Sequence, residues 1–563
     1  PKLVDANFAG TKKGKDCTII FCEGDSAKAG IMSGLTTADR NIFGIYPMRG
    51  KLFNVRGESR TKIHDNKEIS EIKQILGLVT GKEYTTQEDV DKNLRYGRIL
   101  FMTDQDLDGS HIKGLGLNLF ETEWPSLIEV PGFIGYMNTP ILKATKGKSM
   151  LKFYNDGEYA DWKSQTDTKG WNIKYYKGLG TSTSKEFKEY FADKKFISFS
   201  SSGTGSRDIL DMVFNKKRPD DRKEWLGNYD RNAYLDTSES SISYEDFVNR
   251  ELIHFSKYDC DRSIANMMDG LKISLRKILF STFKRRLTSE IKVAQLSGYV
   301  SEHSGYHHGE ASLNGGIIGM AQNFVGSNNI NLLVPNGQFG TRLAGGKDSA
   351  SERYIFTYLN TITRHIFSEH DDAILDYLDD DGQSVEPVYY VPIIPMILIN
   401  GSEGIGTGFS SKILPYKPTD IIEWLEHKIR TNEGSGVEFL PYYHGFKGSI
   451  VKLSEHKFLV KGCYKILSDT CIEVTELPVG HWTDDFKSHI ESLMDEKGQK
   501  KAGIVKDYND NSTDTTVNFV IHFNKGAMDK LQQKYDDNCS HLEKQLKLVT
   551  TLSSTNMHLF NSD

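Results

Sequence analysis

Short unbroken apolar runs that end in an acid set the pattern of the first part of this chain. Thr18-Ile19-Ile20-Phe21-Cys22 runs into Glu23-Gly24-Asp25-Ser26, and Ile99-Leu100-Phe101-Met102 runs into Thr103-Asp104-Gln105-Asp106-Leu107-Asp108-Gly109. Runs of this length, bounded by polar turn residues, predict short buried strands. The stretch from His111 to Glu123 predicts a helix leading away from the second strand, and residues 66–95 predict a helix followed by a loop. Together these elements predict an open α/β sheet, in which ligands gather at the C-terminal strand ends.

Both strands deliver acids to that edge. Asp104, Asp106 and Asp108 point the same way if the chain stays extended, and clustered carboxylates repel one another unless a cation joins them. With Glu23 they make a candidate site for a hard divalent ion such as Mg²⁺. A calcium EF-hand loop also opens D-x-D-x-D-G, but its twelfth position must be Glu, and here it is Leu115. An isolated D-x-D is more often a solvated turn. The second acid-ended strand, at Glu23, favours the metal pocket.

The pattern changes after Asp269. Leu271, Leu275, Ile278 and Leu279 recur at helical spacing, interleaved with Lys272, Arg276 and Lys277. Lys284, Arg285, Arg286 and Lys292 follow, opposed only by Glu290. A basic helix face of this kind is the electrostatic footprint of a nucleic-acid backbone. Between the two patterns, residues 199–245 are rich in Ser, Gly, Asp and Asn and predict a domain boundary with a short helix around Arg218–Leu226. Glycine-rich basic stretches recur at Arg49-Gly50-Lys51, Lys177-Gly178-Leu179-Gly180 and Gly340-Thr341-Arg342, as loops that approach an anion would. Surface charge alone accounts equally well for the first of them.

Composition adds limits. The 563 residues exceed one core, and 38% hydrophobic with 26% charged residues is ordinary for globular protein. Net charge −6 does not advertise nucleic-acid binding, although whole-chain charge hides local patches. Cys17, Cys22, Cys260, Cys463, Cys471 and Cys539 form no C-x-x-C pair, which fits free thiols in a reducing, intracellular setting. No apolar run approaches the ~20 residues of a membrane span, and no signal peptide opens the chain. Tyr354 follows Arg353 in a Ser-rich segment. A tyrosine attacking phosphorus needs a base and a nearby cation, since its free pKa is about 10. Arg353 would be the cation and His307 a candidate base, but pattern alone does not select Tyr354 among 26 tyrosines.

Longer motifs carry a family resemblance. EGDSA (23–27), PMRGKLFNVR (47–56), MTDQDLDGSHIKG (102–114), YYKGLGTSTSKE (175–186), VAQLSGYVSEHSGYHHGE (293–310), AQNFVGSNN (321–329), PNGQFGTRLAGGKDSASERYIFT (335–357) and VEPVYYVPIIPMILINGSEGIGTGFS (385–410) occur in this order. Over essentially its whole length the chain resembles the type IIA DNA topoisomerases of the eukaryotic topoisomerase II branch. The resemblance implies a multi-domain chain of α/β and α+β parts. A Toprim domain over 1–200, with a Rossmann-like core at about 16–131, would include a DNA-contact loop. A linker over 201–250 would precede a winged-helix domain over 251–394, an α/β tower domain over 395–535 and the start of a coiled-coil arm over 536–563.

The resemblance also implies roles. Glu23, Asp104, Asp106 and Asp108 match Mg²⁺ ligands, with Mn²⁺ or Ca²⁺ able to substitute in binding, and Glu23 would share in acid–base work. Tyr354 matches the nucleophile that cuts DNA, leaving a 5′-phosphotyrosyl link and a free 3′-hydroxyl; Arg353 and His307 would assist it. DNA contacts are expected at Arg49, Lys51, Asn54, Lys177, Gly178, Gly180, Lys272, Arg276, Lys277 and Arg342. Ile413 matches a wedge that enters between base pairs, although Leu414 separates it from Pro415, and Lys272 lacks the Pro-Gly usual after it. Partners would be double-stranded DNA and a second copy, one protomer's tyrosine working with the other's acids. The chain then corresponds to a cleavage core, with ATP used only by a longer enzyme that relaxes or decatenates DNA. Its compact loops fit a copy from a large DNA virus, acting in cytoplasm, as well as a nuclear cellular enzyme. A Toprim metal nuclease or primase, and a non-catalytic DNA-bending scaffold, are the competing readings.

Overall fold

The computed structural model describes residues 2–494 and 503–561; Pro1, residues 495–502 of the expected tower and the last two residues of the expected arm lie outside the described residues. Two compact units divide the chain, Pro1–Cys260 with Thr407–Phe409, and Asp261–Gly406 with Ser410–Asp563.

The first unit is built on a six-stranded sheet. Its strands are β1 (Thr18–Glu23), β2 (Phe43–Met48), β3 (Arg98–Met102) and β4 (Ile134–Met137). An inserted three-stranded sheet follows, of β5 (Leu142–Lys146), β6 (Ser149–Phe153) and β7 (Asn172–Tyr175), and then β8 (Phe196–Ser200) and β9 (Ser241–Ser243) complete the main sheet. The spatial order is β2-β1-β3-β4-β8-β9, with β2, β1, β3 and β4 parallel and β8 antiparallel to β4. Ile19, Phe21, Ile99 and Phe101 enter one core, while Ile20, Cys22, Leu100 and Met102 enter another on the opposite face. A sheet covered on both faces leaves no room for polar alternation, which is why β1 and β3 read as unbroken apolar runs. Helices α1 (Gly24–Gly34) and α2 (Leu107–Glu123) begin just beyond β1 and β3, so both acid-bearing turns lie at one sheet edge. Two more helices, α3 (Asp156–Gln165) and α4 (Ser184–Asp193), accompany the inserted sheet.

Residues 201–250 are folded and not a linker. They form helices at Thr204–Phe214 and Pro219–Gly227 and strand β9, and Leu210, Val213, Phe214, Tyr244 and Phe247 are buried in the main core. Their turns have the composition of a linker, but the apolar positions between them recur at helical spacing and bury. The first unit therefore runs to residue 260, not 200.

In the second unit, α5 (Ile273–Arg285), α6 (Val293–Ser304) and α7 (Glu310–Ala321) pack through Ile278, Leu279, Leu296, Val300, Leu313 and Ile317. Strands β10 (Ile291–Lys292), β11 (Leu333–Asn336) and β12 (Phe356–Leu359) add a small antiparallel sheet in the order β10-β12-β11, giving the helices-and-wing arrangement expected. Within the expected tower, Cys463–Ser468, Cys471–Glu476, Val505–Asp510 and Phe519–Phe523 form a four-stranded antiparallel sheet, backed by Phe486 and Ile490 of helix Thr483–Ser492. The described part of 536–563 is not a helical arm. It holds a five-residue helix, His541–Gln545, and a strand, Val549–Ser553, that pairs with Lys457–Lys461. The β-branched run Val549-Thr550-Thr551 favours extended chain over helix.

Candidate active site

The end of β1 places Glu23 at the start of α1 without using its side chain as a cap. Its Oε2 is buried and has no hydrogen-bond partner. Burial, reinforced by Asp104, Asp106 and Asp108, pushes its carboxyl up to about 7. Burial likewise raises Asp104 and Asp106. The expected extended run of acids ends at Leu107, where α2 begins. Asp106 becomes the helix cap, its Oδ1 accepting the Gly109 N–H at 2.6 Å. Asp108 sits in the first turn and pairs with Lys51 Nζ at 2.8 Å. Asp104 Oδ1 accepts the Leu179 N–H at 2.6 Å from the loop after β7.

Two glycines permit this crowding. A Cβ on Gly109 would lie 1.8 Å from the Asp104 carbonyl oxygen. Gly178, at φ +119°, lies so close that a Cβ would meet Asp104 Oδ2 at 2.8 Å.

Among the described residues no three acids already form a closed metal cage. The four carboxylates instead share one electrostatic field at the sheet edge, with an orphaned buried oxygen on Glu23. An array of hard, mutually repelling oxygens is what a divalent cation relieves, so the residues fit an oxygen-preferring ion.

The second unit presents the tyrosine. Tyr354 lies two residues before β12 and is 72% exposed, while its neighbour Ile355 is buried. The first N–H groups of α6 hold this turn: Val293 donates to the Ile355 carbonyl at 3.0 Å and Ala294 to the Glu352 carbonyl at 3.1 Å. Helix N-termini carry such unpaired donors, and here they fix the tyrosine's backbone while its side chain stays free. The Arg353 guanidinium stands 6.0 Å from the Tyr354 ring centre. His307 Nε2 lies 3.1 Å from Asp380 Oδ2, an orienting partner the sequence did not reveal.

The expected DNA contacts divide. Arg49, Lys51, Lys177 and Gly180 are exposed. Asn54 is committed internally, donating to the Phe214 carbonyl at 3.1 Å and accepting from Asn118 at 2.9 Å. Lys272 is half-buried and donates to the Glu403 carbonyl at 2.6 Å. Arg276 is buried against Asp269, with Nε–Oδ2 2.7 Å and Nη2–Oδ1 3.1 Å. Lys277 pairs with buried Glu386 at 2.8 Å, and buried Arg342 pairs with buried Glu476. These last three are internal ion pairs in this structure, since charged groups enter a core only with partners. Ile413 is also a core residue here, 4% exposed and packed with Ala265 and Ile397, so it stands as no wedge in this conformation. The α5 cations left at the surface are Lys284 and Arg285, with Arg286 following them.

Comparison with known proteins gives three adjoining family matches. The "Toprim domain" matches residues 18–134, and the "C-terminal associated domain of TOPRIM" matches 137–260. The family of the DNA gyrase/topoisomerase IV A chain matches 262–563. DNA topoisomerase 2 of Plasmodium falciparum is 48% identical across the whole chain, and DNA topoisomerase 2-alpha of Homo sapiens 47%. The chain spans 39% and 37% of the lengths of these two relatives. A crystal structure of the Plasmodium falciparum topoisomerase II DNA-binding, cleavage and re-ligation domain superposes with a TM-score of 0.83 at 47% identity, covering all of this chain and 75% of that one.

Proposed function

We propose, since this chain belongs to the type IIA DNA topoisomerases, that it is the part of such an enzyme that binds, cuts and reseals double-stranded DNA. The observation that carries this reading is Tyr354, a side chain held out from a pinned turn beside Arg353. Its hydroxyl attacks a backbone phosphorus, the bond from phosphorus to the 3′-oxygen breaks, and the DNA strand ends as a 5′-phosphotyrosyl ester and a free 3′-hydroxyl. The phosphodiester is exchanged and not hydrolysed, so the 3′-hydroxyl reverses the step without any other energy source. Arg353 supports the phosphate's developing charge. His307, oriented by Asp380, is the candidate to take the tyrosine proton.

Glu23, Asp104, Asp106 and Asp108 would hold a divalent ion, for which Mg²⁺ is our choice; it supplies charge stabilisation at the departing oxygen. Asp104 is oriented for this by Leu179, and Asp106 by Gly109. Two copies of the chain provide one tyrosine per strand, which is what a double-strand cut requires. ATP-driven passage of a second duplex, with relaxation or decatenation as its result, belongs to a longer enzyme. All six cysteines are free, which supports a reducing, intracellular setting; a nuclear enzyme and a viral one are both compatible with it. Among the described residues no helix is long and apolar enough to cross a membrane.

The test is plasmid cleavage with Mg²⁺, stopped with detergent and digested with protease, for the parent and Tyr354→Phe. Protein joined to 5′ ends in the parent alone is expected. Equal cutting by both, with no attached protein, would replace this reading with a metal-dependent nuclease, and binding without cutting in the parent would leave a DNA-bending scaffold.

A further inference from the structure

The loop of residues 176–183 lies directly on Asp104, through the Leu179 N–H and the close approach of Gly178. Both ends of this loop converge on one carboxylate. Glu186 lies in the first turn of α4 and is 7% exposed. From the β7 side it accepts Lys174 Nζ at 2.8 and 3.0 Å and the Tyr176 hydroxyl at 2.7 Å. From the α4 side it accepts the Thr183 N–H at 2.7 Å, closing a capping box in which Thr183 accepts the Glu186 N–H. No other side chain bridges the two ends of that loop in so many bonds among the described residues.

The clamp is part of a wider seam. Lys152, Lys143 and Lys174 stand side by side across β6, β5 and β7. Adjacent like charges on a sheet are unfavourable, and α4 answers them with acids one and two turns apart. Glu186 takes Lys174, Asp193 takes Lys152 at 2.9 Å, and Glu189 lies 3.8 Å from both Lys143 and Lys152. Glu186 alone among these acids also reaches the loop.

We infer that Glu186 is a positioning residue for the metal-binding acids: by tying Lys174 and Tyr176 to Thr183 it fixes the loop whose Leu179 N–H orients the Asp104 carboxylate. This rests on the reading of Glu23, Asp104 and Asp106 as the metal site. Partners that orient a metal ligand set affinity even though they never touch the ion, and losing one costs about 10-fold or more in binding.

The experiment is Mn²⁺ titration of the whole chain, following the free-ion signal by electron paramagnetic resonance, with circular dichroism to confirm folding. Glu186→Gln keeps the shape but loses the charge that holds Lys174, and weaker Mn²⁺ binding by about 10-fold is expected. Asp193→Asn, in the same seam but away from the loop, should bind as the parent does. A folded Glu186→Gln chain with parental affinity overturns the inference, as does equal weakening in Asp193→Asn. If Glu186→Gln fails to fold, Tyr176→Phe decides: removing one donor should weaken binding by about 2- to 3-fold, and unchanged affinity refutes the clamp. Asp104→Ala separates the two levels, because parental Mn²⁺ binding by that variant would reject the metal site itself.

Discussion

Arg276→Leu gives the sharpest test of whether the basic face of α5 serves DNA or the core. The guanidinium makes two bonds to Asp269 and a third, Nη2 to the Leu271 carbonyl at 2.9 Å. Asp269 is fully buried and also accepts the N–H groups of Leu271 at 3.0 Å and Tyr390 at 2.9 Å. Leucine removes all three guanidinium bonds and leaves a buried carboxylate with two neutral donors. Stranding one member of a buried pair costs about 3–5 kcal/mol. For a unit of this size that lowers the Tm by roughly 8 °C. The double variant Asp269→Asn, Arg276→Leu removes the stranded charge and should recover part of the loss. Thermal melting and proteolysis report stability, while DNA affinity measured across salt concentrations reports phosphate neutralisation. The salt slope of Arg276→Leu should equal the parent's at a temperature where both are folded. A parental Tm with a slope reduced by about 0.9 would refute this account and make Arg276 a backbone contact.

The remaining predictions follow from the same separation of inner and outer groups. Lys284→Ala with Arg285→Ala and Arg286→Ala should leave melting nearly unchanged and reduce the DNA salt slope by up to about 0.9 for each phosphate no longer neutralised, read by binding titrations in increasing salt. Ile413→Ala should destabilise the second unit by about 2–4 kcal/mol as a core truncation, measured by urea unfolding; unchanged stability with impaired DNA bending would restore the wedge. For Glu186, burial acts to raise the carboxyl, but Lys174, the Thr183 N–H and Tyr176 outweigh it and hold the group down from the usual 4.5 to about 2. A depressed folded value means its contribution, on the order of 2–3 kcal/mol, is complete above about pH 4.5 and is lost as pH falls toward 2. The stability gap between parent and Glu186→Gln should therefore narrow on acidification, and a gap that widened would reverse the sign of the argument.

Glu23 and Asp104 were legible because a strand buried on both faces announces itself as an apolar run, and the acid at its end needs no distant information. Asp108 was misplaced because the extended premise failed after one residue: Leu107 starts a helix with Asp106 as its cap, an Asp-x-x-Gly arrangement visible in the chain but overridden by the D-x-D pattern. Glu186 carried a local signal too, since Thr183 and Glu186 have capping-box spacing. What the box also holds, Lys174 and Tyr176, lies across the loop and appears only when the ends meet.

The misread cations have a common cause. Arg276 has its partner seven positions upstream, while Lys277 finds Glu386 at a separation of 109 residues and Arg342 finds Glu476 at 134. Charge spacing along one helix records which residues are basic but not whether a carboxylate from elsewhere will meet them. Once those three pairs are removed, the basic groups left for a phosphate backbone are few and clustered: Arg49 and Lys177 in the first unit, and the turn at Lys284, Arg285 and Arg286 in the second. A chain of net charge −6 does not need a basic surface to hold DNA, because screening confines the effect of distant acids to within about a Debye length. It needs cations placed where the backbone passes, and the internal pairs show how poorly a count of lysines and arginines locates them.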